Sequence, residues 1–276
     1  MKGKTIRARL SGIRREYGLQ AMKEKLVKNQ FIFEELCKRD FKKKYKGTVL
    51  GMGWSILAPL LTLLVMKLVF TQFFGRNAEH YTIYLFSGNL ILNYYREATK
   101  GGMTSLYENA RIFTKINVPK YLFLLSRISS ATINFLLTLI IYFMFVAADG
   151  IAFHIRFLSL VYPVICLTVF IIGVGMVLSA LCIFFRDIQY LYDVFLTLLT
   201  YVSAIFYTVD AYPLHIQRLF LLNPVYVYIK YFRVVVINGN LPSPQFHLLC
   251  FAYAAAALFA GAWLYKKKNQ KFLYYV

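Results

Sequence analysis

The sequence predicts an all-α membrane protein with six transmembrane helices, an N-terminal amphipathic interfacial helix, and short re-entrant outer gate helices between spans five and six. Three observations carry this. The 276 residues are 59% hydrophobic and 16% charged, with a mean hydropathy of +0.55, against about 45–50% apolar in a soluble domain. The apolar residues gather into six runs, about 54–74, 81–99, 123–148, 157–185, 189–209 and 246–265, which are long enough to cross a bilayer. Threading six spans puts 26 of the 32 Lys and Arg on the side of both termini. Only Arg76, Arg156, Arg218, Lys230 and Arg233 fall on the other, with Lys67 inside the first run. The basic side is cytoplasmic, so the chain reads as a multi-pass protein of the cytoplasmic (inner) membrane with both termini inside.

Residues 1–27 form a basic extension with Ile6, Leu10, Ile13 and Tyr17 at helical spacing, expected to touch the membrane or a partner. Over 28–46, Phe33, Cys37, Phe41 and Tyr45 recur every four residues beside Ile32 and Leu36, while Lys38, Arg39, Lys42, Lys43 and Lys46 fill the other face. That pattern predicts a helix lying among anionic headgroups. The transmembrane domain then occupies 47–276. Gly47, Gly51 and Gly53 lead to an interfacial Trp54, with Pro59 five residues further on. The chain stays basic and polar for roughly 50 residues before any apolar run, unlike a cleaved signal peptide, so the first span is expected to be retained. Lys67 either snorkels about 10 Å to the outer end of its helix or faces a pore.

The second run carries Asn89, Asn93, Tyr94 and Tyr95; such polarity suits a helix facing protein or a water-filled path. In the loop 100–120, which the resemblance given below makes a coupling loop, Ser105-Leu106-Tyr107-Glu108 is a capping-box pattern that can start a short helix, closed off by Pro119. A tight turn at Arg186-Asp187 follows the fourth span. In the outer gate region, 210–245, Leu219 to Ile237 is apolar, but Asn223-Pro224 interrupts it. Lys230 and Arg233 would each cost about 2.5–3.5 kcal/mol in hydrocarbon. A seventh span would also export Lys266-Lys267-Lys268, so two short helices dipping in from outside are expected instead.

A net charge of +20 might have implied nucleic acid, but the basic residues lie outside the apolar runs and fit topology and anionic lipid. Cys37, Cys166, Cys182 and Cys250 lack paired spacing, and His80, His154, His215 and His247 lack a second ligand at i+4. No disulfide framework or metal site is expected. There is no phosphate-loop pattern, and Asp193, near a span interior, has no carboxylate neighbour in sequence, which argues against an embedded glycosyltransferase or phosphatase. Aromatics make up 18% of the chain. Tyr84, Tyr94, Tyr95, Tyr201, Phe206 and Tyr207 either line a glycan path or serve packing and interfacial belts.

The lead-in Phe41-Lys42-Lys43-Lys44-Tyr45-Lys46-Gly47 with Trp54 and Pro59 resembles the membrane subunit of ABC exporters that move lipid-linked polysaccharides, an ABC-2 type permease. So do Asn109 to Pro119, Phe185-Arg186-Asp187-Ile188, and Asn223-Pro224 followed by Phe232-Arg233; the likeness runs from about Phe31 to Tyr265. The resemblance implies a homodimer served by two ATP-binding subunits that hold ATP and Mg, with no cofactor in this chain. It implies an undecaprenyl-linked O-antigen, teichoic acid or capsular polymer as cargo. Phe41, Tyr107, Glu108, Asn109, Arg111 and Lys115 would couple to the ATPase, Arg186 and Asp187 would hold the cytoplasmic turn, and Asn223 and Pro224 would belong to the gate. A lateral opening for the lipid would lie between the first and fifth spans. The chain departs from many relatives in having Ser203-Ala204 where a Ser-Pro pair stands late in the fifth span, and in its long N-terminal extension. An exporter of a small hydrophobic drug or lipid is the alternative.

Overall fold

The computed structural model describes residues 27–44, 46–74, 79–115, 118–209, 212–268 and 272, with side chains 71–74 left aside. The expectations for residues 1–26, Tyr45 and Arg76, and for Ile116-Asn117 of the coupling segment, lie outside them. Helix α1 covers 27–44. There follow α2 (Trp54–Phe74), α3 (Tyr81–Glu108), α4 (Ala110–Phe113), α5 (Tyr121–Ala148), α6 (Val161–Phe184), α7 (Ile188–Val202), α8 (Leu214–Phe220), α9 (Pro224–Val236) and α10 (Pro244–Lys268). No strand occurs among the described residues.

Four helical stretches are long and apolar enough to cross a membrane: Gly51–Phe70, Tyr121–Ala148, Ile155–Phe184 and Pro244–Lys268. A fifth is reached if α8 and α9, bent by 109° at their junction, count as one. The other two expected spans differ from that standard in opposite ways. Helix α3 has 28 residues but is too polar, and α7 is apolar but has only 15, about 22 Å at 1.5 Å per residue against a hydrocarbon core of about 30 Å.

Helix α3 tolerates its polarity because it is the interior helix, packed against α5, α6 and α9. Its small polar groups are satisfied within it: Ser87 donates to the Tyr84 carbonyl at 2.8 Å, Thr99 to Tyr95 at 2.6 Å and Ser105 to Gly102 at 2.6 Å. Satisfied this way, they carry little desolvation cost. The opposite side of α6 packs against α10. There the two backbones meet with nothing between them: a Cβ built on Gly173 would lie 2.2 Å from the Ala257 carbonyl carbon, and one on Gly261 2.6 Å from the Gly173 oxygen. Helices in lipid gain their association from such close approach, which only small residues allow.

Several boundaries move from the sequence reading. The second helix runs on through Glu108, so Ser105 to Glu108 close a helix instead of opening one; the Ser105 hydroxyl is spent on Gly102. The fourth begins as a 3-10 turn, Ile155–Leu160, before α6. The fifth stops at Val202, seven residues before the expected 209. Helix α1 turns Ile32, Phe33 and Leu36 toward a cluster formed by Leu106, Phe113, Leu122 and Phe123, so much of the stripe expected to face lipid packs on protein.

Candidate coupling face and transport groove

At the end of α3, Asn109 is buried and its amide donates to the Ser105 carbonyl at 2.7 Å. It caps α3 and turns the chain into α4, so its side chain is unavailable to a partner. Tyr107, Arg111, Thr114 and Lys115 remain exposed. The Arg186 guanidinium from the turn after α6 stacks over the Tyr107 ring at 4.5 Å. Tyr107, Arg111, Thr114 and Arg186, with Glu108 and Ala110, bound a groove of about 420 Å³. The structure thus joins two segments read separately in the sequence. Arg186 meets this ring instead of Asp187, which stands exposed at the head of α7 without a capping bond. Phe41 is half-buried on α1.

Glu108 borders the groove on one side and the helix bundle on the other, its side chain 35% exposed. It pairs with Arg127 of α5 and with Lys43 of α1 at 3.4 Å. Asp40, its side chain only 1% exposed, takes Arg39 at 2.7 Å, Ser126 at 2.8 Å and Arg127 at 3.6 Å. The network ties α1 to α3 and α5. Burial alone would raise the Glu108 carboxyl, but Arg127, a hydrogen bond from Thr104 and Lys43 outweigh it and hold it below its ordinary value of 4.5. Its contribution is full above that ordinary value and fades as pH falls through the lowered one. Glu108→Gln is therefore expected to loosen α1, seen as faster proteolysis near residue 44, while Arg111→Glu leaves α1 protected and weakens ATPase association. Equal loss of association with α1 intact in both would place Glu108 on the partner face after all.

Three of the aromatic residues expected along a path are held by protein contacts, although Tyr94 also edges the cavity described below. Tyr94 is 3% exposed, hydrogen-bonded to Thr132 at 2.8 Å and Thr168 at 3.0 Å, and stacked on Phe135. Tyr95 is buried against Phe170. Tyr84 donates to the Tyr207 carbonyl at 2.7 Å. All three bind α3 to its neighbours. Tyr201 is exposed, Phe206 stacks on Phe70 of α2 at 5.0 Å, and Tyr207 sits among Tyr212 and Phe220. Lys67 is exposed on α2.

What faces open space is a polar stripe on α3: Asn89, Asn93, Glu97 and Lys100, spaced by one or two turns. It lines a cavity of about 460 Å³ bounded by α2, α3 and α5. On its α7 side Arg96 donates to Thr200 at 2.8 Å and Lys100 pairs with Asp193 at 2.7 Å. Asp193, isolated in sequence, thus has a partner across the fold.

The C-terminal end of α7 shows how the helix breaks without a proline. Ala204 takes the left-handed conformation (φ 49°), releasing carbonyls that would otherwise continue the helix. Four successive ones are met by side chains. Arg233 of α9 donates to Ala204 at 2.9 Å and Ile205 at 3.3 Å, Tyr81 to Phe206 at 2.9 Å and Tyr84 to Tyr207 at 2.7 Å. Asn223 accepts from the Val225 amide at 3.0 Å as the cap of α9, with Pro224 in its first turn, and donates to Ser203 at 2.9 Å. Arg233, expected outside on an exposed gate, is 6% exposed and lies over the Tyr84 ring at 3.3 Å.

An almost wholly helical domain with four or five helical stretches apolar enough to cross a membrane, and a cavity with a polar stripe among them, is the architecture of a multi-pass membrane protein. The family model for ABC-2 type transporters matches residues 33–237, and the chain belongs to that family, whose members are multi-pass membrane proteins. It is similar to the O-antigen export system permease protein RfbA of Klebsiella pneumoniae, 25% identical over 218 residues, covering 78% of this chain and 84% of that one. RfbA of Myxococcus xanthus is 24% identical over 243 residues, covering 86% and 92%. The polysialic acid transport protein KpsM of Escherichia coli is 21% identical over 243 residues, covering 87% and 94%.

Proposed function

We propose that this chain is the permease subunit of an ATP-driven exporter that moves an undecaprenyl-linked polysaccharide, of the O-antigen or capsular kind, across the cytoplasmic membrane. The observation that carries the reading is the near full-length similarity to polysaccharide export permeases, supported by a polar stripe that lines a cavity in an otherwise apolar helix bundle. The working unit is a homodimer with two ATP-binding subunits, which hold ATP and Mg.

Six spans with both termini cytoplasmic fit the charge asymmetry, α3 and α7 completing the set because protein contacts on α3 and a short, tilted or locally thinned crossing on α7 meet the cost. In this topology α1 lies at the inner surface, its lysines toward anionic lipid. Helices α8 and α9 re-enter from outside as the gate, Asn223 and Pro224 fixing their junction. The ATPase docks on the groove of Tyr107, Arg111 and Arg186, with Lys115 and Phe41 flanking it, and pulls on α3 and α7 together because Arg186 joins their ends.

The lipid tail must stay in the bilayer, since exposing it to water costs about 0.8 kcal/mol per CH₂. The seam between α2 and α7 serves it, its outer end closed by the Phe70–Phe206 stack. Cysteines at those two positions, joined by a thiol crosslinker, should block export and leave ATPase docking intact. Undiminished export with the seam covalently closed would contradict lateral entry.

A further inference from the structure

The cavity between α2, α3 and α5 has a division of chemistry along its length. At the end nearer the cytoplasmic helix termini it is lined by three cations, Lys44, Arg96 and Lys100, against one carboxylate, Glu97. Each cation has a local partner: Lys44 pairs with Glu97 at 2.7 Å, Arg96 with Thr200 at 2.8 Å and Lys100 with Asp193 at 2.7 Å. The exposed Trp54 stands at the same end. One to two turns from Glu97 along α3 the lining becomes amide, with Asn93 and Asn89. Asn134 of α5 joins the two regions, its Nδ2 donating to Glu97 at 2.8 Å. Neither Asn89 nor Asn93 has a protein hydrogen bond among the described residues.

Two unsatisfied amides near the middle of a membrane helix are costly against lipid and persist where they meet water or a ligand. Amides that both donate and accept match the hydroxyls of a sugar, and an indole face matches its ring. A cluster of cations with one carboxylate matches a group of multiple negative charge. The volume of about 460 Å³ falls within the roughly 300–1,000 Å³ of small-molecule pockets.

We infer that this cavity is the loading site for the carrier end of the cargo, a prenyl-linked sugar diphosphate, with its diphosphate between Lys44, Arg96 and Lys100 and its first sugar against Asn89, Asn93 and Asn134. The inference rests on the reading of the chain as a lipid-linked glycan permease. Binding exchanges existing pairs for stronger ones: the diphosphate takes Lys44 from Glu97, and Lys100 from Asp193. The second exchange removes one tie between α7 and α3 at the level of the cation cluster, leaving the 2.7 Å bond from Tyr192 to Thr99, on the side where the lipid tail leaves through the seam. Loading thereby loosens the element that has to move.

The test uses the purified permease–ATPase complex and farnesyl-diphospho-N-acetylglucosamine as probe. Ala58 lines the cavity and is exposed, so Ala58→Cys in a Cys37→Ser background reports occupancy through its rate of maleimide labelling. The probe should slow labelling about tenfold or more at saturation. Asn93→Leu and Arg96→Gln, the glutamine keeping a donor for Thr200, should each raise the probe concentration needed by about tenfold, the loss of one strong polar contact. Phosphatidylglycerol or inorganic pyrophosphate protecting as well as the probe would mean an anion site without cargo specificity and would overturn the inference. Equal protection by farnesyl diphosphate alone would overturn the sugar subsite, and with it the inference. A complex that exports glycan while the probe leaves labelling unchanged, or while both variants bind it normally, would overturn the loading site and leave the permease reading standing.

Discussion

Arg233→Met is expected to lower polysaccharide export by about tenfold or more and to reduce the thermal stability of the permease. Methionine keeps most of the volume but removes the donors for Ala204 and Ile205, whose residues are 0% and 1% exposed. A buried carbonyl left unmet costs about 1–3 kcal/mol; that of Ile205 loses this donor, while that of Ala204 keeps only a long bond from Tyr84 at 3.4 Å, and both belong to the strained turn that ends α7. Without Arg233 the gate helix α9 loses its main tie to that turn, although Asn223 still holds Ser203. Arg233→Lys should recover only part of the function, because an ammonium lacks the planar fork that reaches Ala204, Ile205 and the Tyr84 carbonyl together. Export measured in cells, with thermal unfolding of the purified protein, checks this. Wild-type export in Arg233→Met would show that the pinned turn is dispensable.

Gly173→Ala is expected to be still more damaging to the fold. The added carbon would sit 2.2 Å from the Ala257 carbonyl carbon and 2.4 Å from its oxygen, and backbone cannot step aside as a side chain can. Separating α6 from α10 forfeits the tightest contact in the bundle, for an expected cost of about 3 kcal/mol or more. Gly101→Ala is the control, since a Cβ there would meet only Arg127 Cβ at 3.8 Å. Its expected effect is nil or slightly stabilising, as alanine favours a helix over glycine by about 0.5–1 kcal/mol. Size-exclusion profiles and thermal midpoints of the two variants side by side decide the point. Matching profiles would mean that α6 and α10 can part without penalty.

The four long apolar helices were legible because membrane helices announce themselves by apolar length. The break at Asn223-Pro224 was legible for a local reason: Asn caps and Pro opens a helix. The polarity of the second helix was visible too, but its direction was not fully used. Asn89, Asn93, Arg96 and Lys100 follow a helical repeat, which turns Tyr95 away from the cavity and leaves Tyr94 at its edge with its hydroxyl bonded to Thr132 and Thr168. Asp40 offered a similar signal, because it falls on the apolar side of α1 one turn after Leu36, where a lone carboxylate demands partners. Its partners, Arg127 and Ser126, are more than eighty residues away and could not be paired with it from spacing.

Arg233 was out of reach for a different reason. The acceptors that pay for its burial are backbone carbonyls exposed by the turn at Ala204, and composition says nothing about them. The end of the second helix was misread because the capping-box pattern is short and Ser105 can equally bond back to its own helix.

The most direct test of the account is ATP-driven transport in a purified system. Permease and ATPase reconstituted into vesicles, with the ATPase outside and radiolabelled undecaprenyl-linked glycan in the outer leaflet, should carry the glycan inward to a compartment protected from added glycosidase. Protection should require ATP and be absent when the permease is omitted or when Arg111→Glu uncouples the ATPase. Failure to protect the lipid-linked glycan, with a small hydrophobic compound transported instead by the same active complex, would contradict the account.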